Sequence, residues 1–276
     1  MKRRKTETEP SPLKRTPKAI KPMNDAATDG ETANGAAVLP LSHGEGLRGD
    51  GTELTPKAQQ TREQILITAL TLFAEKGYAS TTMRDIAAKA GYSLGLTYRY
   101  FAAKEDLVLA MYARCAVELA QEVERLPAGS LADRWYGAVQ KDISRLEPFR
   151  ETMGALFGVA LAPGSDIAVL GSRVSEIRET VWNALLQVIT GATDAPRPRQ
   201  AQELATIAYA AHLSLILFWL QDTSPNQTAT AELLKFGRET LGRIRPFLNL
   251  PMVTRMLARL AKIIEPMFGA VAGGSK

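Results

Sequence analysis

Between Ser80 and Lys104 the chain reads STTMRDIAAKAGYSLGLTYRYFAAK, and the spacing in this stretch leaves few choices of fold. In MRDIAAKA, Met83, Ile86, Ala87 and Ala90 fall three and four residues apart on one helix face, with Thr81 or Thr82 placed to cap the start. Gly91 follows where a left-handed residue ends a helix without a Cβ penalty. Ser93 then offers a hydroxyl to cap a second helix from Leu94. The spacing predicts helix, tight turn, helix. The second helix, LGLTYRYF, is too short to stand alone, so packing must hold it and its outward residues are left for another use. Leu94 and Gly95 at its leading end allow close approach to base edges. Thr97, Tyr98 and Tyr100 carry hydroxyls able to donate to phosphate, Lys104 adds a charge at the start of the next helix, and Phe101 points back to the core. Any one tyrosine or capping serine reads equally as packing; the order and spacing of the set point to DNA.

The flanking residues extend the pattern. Residues 61 to 107, TREQILITALTLFAEKGYASTTMRDIAAKAGYSLGLTYRYFAAKEDL, resemble the DNA-binding domain of the TetR/AcrR family of transcriptional regulators. The matching pieces are LFAEKGY, TT-x-R-x-IA, the AG turn, Y-x-YF and KEDL. The resemblance implies that Arg84, Leu94, Gly95 and Leu96 lie near base edges and that Thr82, Ser93, Tyr98, Tyr100 and Lys104 touch phosphate. Two positions depart from the family pattern: Thr97 stands where an apolar core residue is usual, and Ala103 where a capping Ser, Asn or Asp is usual. Leu94 can read a base only through a thymine methyl, which shifts base specificity toward Arg84 and DNA shape.

Composition bounds the rest. With 276 residues, 45% of them hydrophobic, the chain can bury a core, and its net charge of +5 fits a nucleic-acid partner without demanding one. The single cysteine, Cys115, excludes an internal disulfide and fits a reducing cytoplasm; in a helical pattern it reads as a buried, inert thiol. No cluster of Cys and His suggests a metal, and no cofactor is expected. There is no run of about 18 consecutive apolar residues for a membrane span. The basic N-terminus lacks the apolar run of a signal peptide.

Residues 1–54 show no sustained period and read as a disordered arm, basic at Lys2, Arg3, Arg4, Lys5, Lys14, Arg15, Lys18 and Lys21. A first helix is expected from Thr55 and Pro56, with Ile65, Ala69, Leu72 and Phe73 as its core stripe and Gly77 as its end. The DNA-binding domain is thus placed at 55–107. A long helix from Glu105 to the break at Pro127 connects it to the rest of the chain. Further helices are expected near 131–146, 148–161, 166–190, 198–221, 229–246 and 251–268, with Pro148, APGS at 162–165, GATDAPRPR, DTSPN and Pro251 as punctuation. With no alternating strand pattern, the fold class is all-α. Residues 108–250 are placed as an effector-binding and dimerisation domain, and 251–276 as a C-terminal helix and tail.

The resemblance implies that the last two helices of the 108–250 segment pair with the same helices of a second copy in a four-helix bundle. The last of these helices keeps a stripe at Leu233, Gly237, Leu241, Ile244 and Leu248, and the expected dimer face is Leu213, Leu217, Leu233, Gly237, Leu241 and Ile244. It also implies a small-molecule pocket among Trp135, Phe149, Met153, Phe157, Trp182, Tyr209, Phe218 and Trp219, although each reads individually as core. His212, alone on an apolar helix, reads as a satisfied buried imidazole. The expectation is a cytoplasmic, effector-responsive homodimer of repressor type on a near-palindromic operator. Two alternatives stand beside it: an architectural DNA binder without effector, and an all-α carrier or enzyme. No GxxxxGK[ST], HExxH or GxSxG supports catalysis.

Overall fold

The computed structural model describes residues 55–161 and 172–268, and every regular element among them is helical. The expected arm at 1–54, the APGS turn, the start of the helix placed at 166 and the C-terminal tail lie outside the described residues, as does the side chain of Phe157.

The N-terminal region opens with α1 (Pro56–Lys76), whose Thr55 cap accepts from the Ala58 amide ahead of a proline at the first turn. Next come α2 (Met83–Ala90) and α3 (Leu94–Tyr100), joined by Gly91 in the left-handed region at φ 77°, ψ 23°. Ile65, Phe73, Ile86 and Phe101 are fully or almost fully buried where these helices meet. The connecting helix α4 (Lys104–Glu124) closes the group from below with Leu107 and Val108.

Beyond it stand α5 (Leu131–Leu146), α6 (Arg150–Leu161), α7 (Ser175–Thr190), α8 (Pro198–Gln221), α9 (Thr228–Ile244) and α10 (Pro251–Phe268). These starts and stops follow the sequence punctuation closely. Arg134 fixes the far end of α4, donating to the carbonyls of Leu126, Pro127, Gln187 and Val188 and so clamping α4, α5 and α7 together. Arg150 caps the end of α8 by donating to the carbonyls of Trp219, Leu220 and Asp222. The Trp219 indole, wholly buried, donates to Glu147 and Gln227. By length and composition α8 could cross a membrane, but it carries buried Gln200, Tyr209 and His212 and packs against α7 and α10.

The core of the N-terminal region does not stop at α4. Leu156 of α6 and Val174, just before α7, belong to the same buried cluster as Phe73 and Ile86. Thr152 of α6 donates its hydroxyl to the Leu70 carbonyl of α1 at 3.2 Å, and Arg173 pairs with Asp106 at 2.7 Å. The expected single link through α4 is therefore joined by a second one through α6.

Candidate nucleic-acid interface

Helix α2 begins on a reciprocal cap. Thr82 Oγ1 accepts from the Asp85 amide at 3.2 Å, while Asp85 Oδ2 accepts from both the Thr82 amide and its hydroxyl, at 2.9 and 2.8 Å. Lys76 sits 2.9 Å from the same carboxylate. Lys76 and Thr82 together hold Asp85 well below the usual carboxylate range. The Thr82 hydroxyl proton is thus already engaged at the point where the sequence pattern assigns it to a phosphate.

Ser93 caps α3 by accepting from the Leu96 amide at 3.1 Å, which leaves its own hydroxyl proton to donate outward. Thr97, the departure from the family pattern, is fully buried and donates to the Ser93 carbonyl, so its hydroxyl is satisfied within the helix. Leu94 and Tyr100 are half-buried against the core, Leu96 is also half-buried, and Gly95 and Tyr98 are exposed. No heavy atom lies within 4 Å of where a Gly95 Cβ would stand, so packing does not demand glycine there.

Arg84 is exposed on α2 with no ion pair among the described residues. Arg99 is a cation that the sequence pattern did not single out. It lies one turn beyond Gly95, exposed and likewise outside any described ion pair. The signal was present as i, i+4 spacing from Gly95.

Lys104 is differently placed. Its Nζ donates to the carbonyls of Tyr78 and Thr81 at 2.6 and 2.9 Å and lies 4.1 Å from the Tyr78 ring centre. Burial pushes its pKa below the ordinary lysine value. The Tyr78 phenol donates to Glu105 at 2.7 Å, and burial with that hydrogen bond pushes its pKa upward. Lys104 therefore ties α4 to the loop before α2, and at most one of its three protons remains to meet DNA. At Ala103 the missing side-chain cap is replaced from the other side, since the Asp106 carboxylate accepts from the Ala103 amide at 2.9 Å.

The residues expected at a dimer face divide. Leu217, Leu233 and Ile244 are open, and Leu213 is half-buried. Gly237 instead faces its own chain: a Cβ there would stand 2.5 Å from the Trp135 ring, so close approach of α9 to α5 requires glycine. Leu241 is half-buried, and Leu248 is buried in the core with Trp182 and Tyr209. The outward stripe of α9 and the turn after it runs through Leu233, Phe236, Ile244 and Phe247. Leu233 and Ile244 are common to the expected and the open stripe, whereas Gly237 turns to Trp135, because periodicity finds stripes without saying which one meets a neighbour.

In the interior, His212 is buried with Nε2 3.5 Å from the Asp142 carboxylate and Nδ1 without a hydrogen-bond partner. The expected satisfied imidazole is only half satisfied. Asp142 is paired with Arg145, which also meets Glu118 of α4. Burial lowers the His212 pKa, and burial pushes the Cys115 thiol up to about 11, which keeps it inert. Of the aromatics, Trp182, Tyr209 and Trp219 are buried and Trp135 is half-buried, whereas Phe218 is open. No group of three or more potential metal ligands occurs among the described residues.

Residues 65–111 match a family model described as bacterial regulatory proteins, tetR family. Over 88 residues the chain is 34% identical to the HTH-type transcriptional regulator HbdR of Aromatoleum, a match covering 32% of this chain and 38% of that protein. It is 28% identical over 171 residues to the HTH-type transcriptional repressor Rv3405c of Mycobacterium tuberculosis, covering 62% of this chain and 77% of the relative. The chain thus spans well under two thirds of HbdR's length. Among solved structures, a tetR-family transcriptional regulator from Streptomyces coelicolor superposes with a TM-score of 0.52 at 21% identity, over 76% of this chain and 92% of the other. That likeness is one of fold: an all-α chain with an N-terminal helix-turn-helix followed by a helical C-terminal region.

Proposed function

We propose that this chain, which belongs to the TetR family of DNA-binding transcriptional regulators, acts as a homodimer on a near-palindromic operator and is released or modulated by a small-molecule effector. The observation that carries the reading is the open face of α2 and α3. Arg84, Gly95, Tyr98 and Arg99 are exposed there, on two helices whose inward faces are fully committed to the core. A face bearing two cations without carboxylate partners and a glycine that packing does not require is suited to a polyanion at close range.

In this reading residues 55–107 contact DNA, 108–250 hold the effector and the dimer contacts, and 251–276 add a C-terminal helix. Arg84, Leu94, Gly95 and Leu96 face base edges, Arg99 joins them at the rim, and Ser93, Tyr98 and Tyr100 donate to phosphate. The engaged hydroxyl of Thr82 and the engaged ammonium of Lys104 make those two residues chiefly supports. Two copies related by a two-fold axis would read half-sites about one helical turn apart. An effector acts by preferring one spacing of the two heads; α4 and α6 both run from the helical region to α1 and can transmit it. The habit of repression comes from the relatives, Rv3405c among them, and a cytoplasmic location follows from the function.

The test is selection from a pool of random duplexes by the full-length protein, read by sequencing. An enriched inverted repeat is the expected result. Salt-sensitive binding without enrichment would sink sequence-specific regulation, and absence of binding would sink the DNA-binding assignment itself.

A further inference from the structure

We infer that the grip of the reading helices on DNA is coupled to the buried His212 by a relay of shared ion pairs that runs from α8 across α5 and α4 to α1. The inference rests on the effector-responsive regulator proposed above and names the interior group through which its grip is set. Arg114 of α4 pairs with Glu63 of α1 and, through Nε at 2.8 Å, with Glu118 one turn along its own helix. The other Glu118 oxygen meets Arg145 of α5, and Arg145 also holds Asp142. Asp142 in turn faces His212 Nε2 of α8 at 3.5 Å. Each of the four inner members is thus divided between two partners. A firmer hold by one is a weaker hold by the other.

The inner end of the relay is not closed. Asp142 and His212 are buried, and His212 Nδ1 and Arg145 Nε are buried without hydrogen-bond partners among the described residues. A buried polar network with open positions is one whose members can trade partners, and away from water each trade is felt strongly. Facing a carboxylate, Nε2 carries the imidazole proton and leaves a lone pair on Nδ1. The group that completes it is a hydroxyl or N–H donor. At the outer end the relay reaches the reading helix. Arg62, beside Glu63 on α1, holds its guanidinium 4.9 Å from the centre of the Phe101 ring, and Phe101 ends α3 with its amide donating to the Thr97 carbonyl. The sign follows from the alternation of partners. Without the imidazole, Asp142 is left wholly to Arg145, which gives less to Glu118; Glu118 then takes more of Arg114, and Glu63 is held less firmly. The tie of α1 to α4 loosens, and with it the seat of α3.

The test is a double-variant cycle on the full-length protein, read as affinity for the duplex enriched from the random pool. His212→Leu should weaken binding roughly three- to tenfold and Glu63→Gln by a similar factor, and the double variant should be no weaker than Glu63→Gln alone. His212→Gln, whose amide nitrogen can stand where Nε2 does, should restore most of the wild-type affinity. Damage to the fold at His212 would be felt whatever residue stands at 63, so single effects that simply multiply would overturn the relay while leaving the DNA-binding reading in place. A protein that enriches no duplex would remove both. Should His212→Leu lose helix content by circular dichroism, Arg145→Lys runs the same cycle, because a point charge cannot hold Glu118 and Asp142 together as the guanidinium fork does. Its effect should vanish in the Glu63→Gln background, and an effect that persists there would overturn the inference. The first link has its own readout: with two histidines in the chain, nitrogen-15 spectra of the imidazoles should show His212 neutral with its proton on Nε2, and a proton on Nδ1 instead would overturn the relay at its start.

Discussion

Two open surfaces among the described residues differ in kind. On α2 and α3 the large apolar side chains turn inward, and the outward residues are short, polar or cationic, with Tyr98 the one large ring left open. On α8, α9 and α10 the outward residues are Phe218, Phe236, Phe247, Met252, Met256 and Ile263, which water does not suit. The first surface is finished without a partner and gains by meeting charge; the second is unfinished until something apolar covers it. A surface of the first kind can bind and release as salt and ligand dictate, whereas one of the second kind is suited to permanent association.

The largest expected effect comes from breaking the second surface and watching the first. Phe236→Asp places a charge in the apolar stripe and should yield monomers. Operator affinity should then fall by roughly 100-fold or more, because each head binds one half-site without the benefit of its twin. Leu241→Asp, at a half-buried position one turn beyond Gly237, should instead lower the melting temperature. Sedimentation together with operator titration separates the two, and a Phe236→Asp dimer with wild-type affinity would place the interface elsewhere.

How much of this contrast the sequence carried can be traced to particular residues. Thr55 with Pro56, Gly91 and Ser93 mark their helix ends because caps are local chemistry, and each stands where its spacing predicted. The inward stripe of α1 was legible for the same reason. Which side of α9 is open was not, since that depends on Trp135, a hundred residues away in the chain and seated against Gly237. The hydrogen bond from Thr152 to the Leu70 carbonyl and the clamp of Arg134 across three helices are likewise long-range and have no sequence period. Arg99, an exposed cation between two tyrosines, was as legible as they were.

On the reading face itself, Gly95 gives the next largest effect. Gly95→Leu has room in the free protein, so stability should hold, yet operator affinity should drop roughly tenfold or more as the side chain holds the helix off the groove. Gly95→Ala should be neutral or stabilising by up to about 1 kcal/mol in thermal unfolding and cost less in binding. Equal operator affinity for Gly95→Leu and wild type would remove α3 from the groove. Arg84→Ala should cost roughly tenfold and relax preference at one base position, while Arg99→Ala should weaken all sequences alike and flatten the salt dependence. Selection experiments on both variants distinguish base reading from phosphate contact.

Lys104 sharpens the comparison at its smallest step, since it belongs to the reading region yet is used like a core residue. Its ammonium holds the Tyr78 and Thr81 carbonyls and the Tyr78 ring, and the loop so held carries the start of α2 and therefore Arg84. Were it chiefly a phosphate contact, Lys104→Ala would weaken DNA binding and lower the slope of log affinity against log salt by about one, with stability unchanged. Held as it is, Lys104→Ala should leave the Thr81 carbonyl without this donor and the Tyr78 carbonyl with only the Thr81 amide, and lower stability by about 1–3 kcal/mol. The affinity loss should then be only a few-fold, with a salt slope close to wild type. Thermal unfolding and a salt titration on the same variant decide it: a wild-type melting temperature combined with a reduced slope would return Lys104 to the phosphate, and the reverse pattern fixes it as the anchor that positions α2.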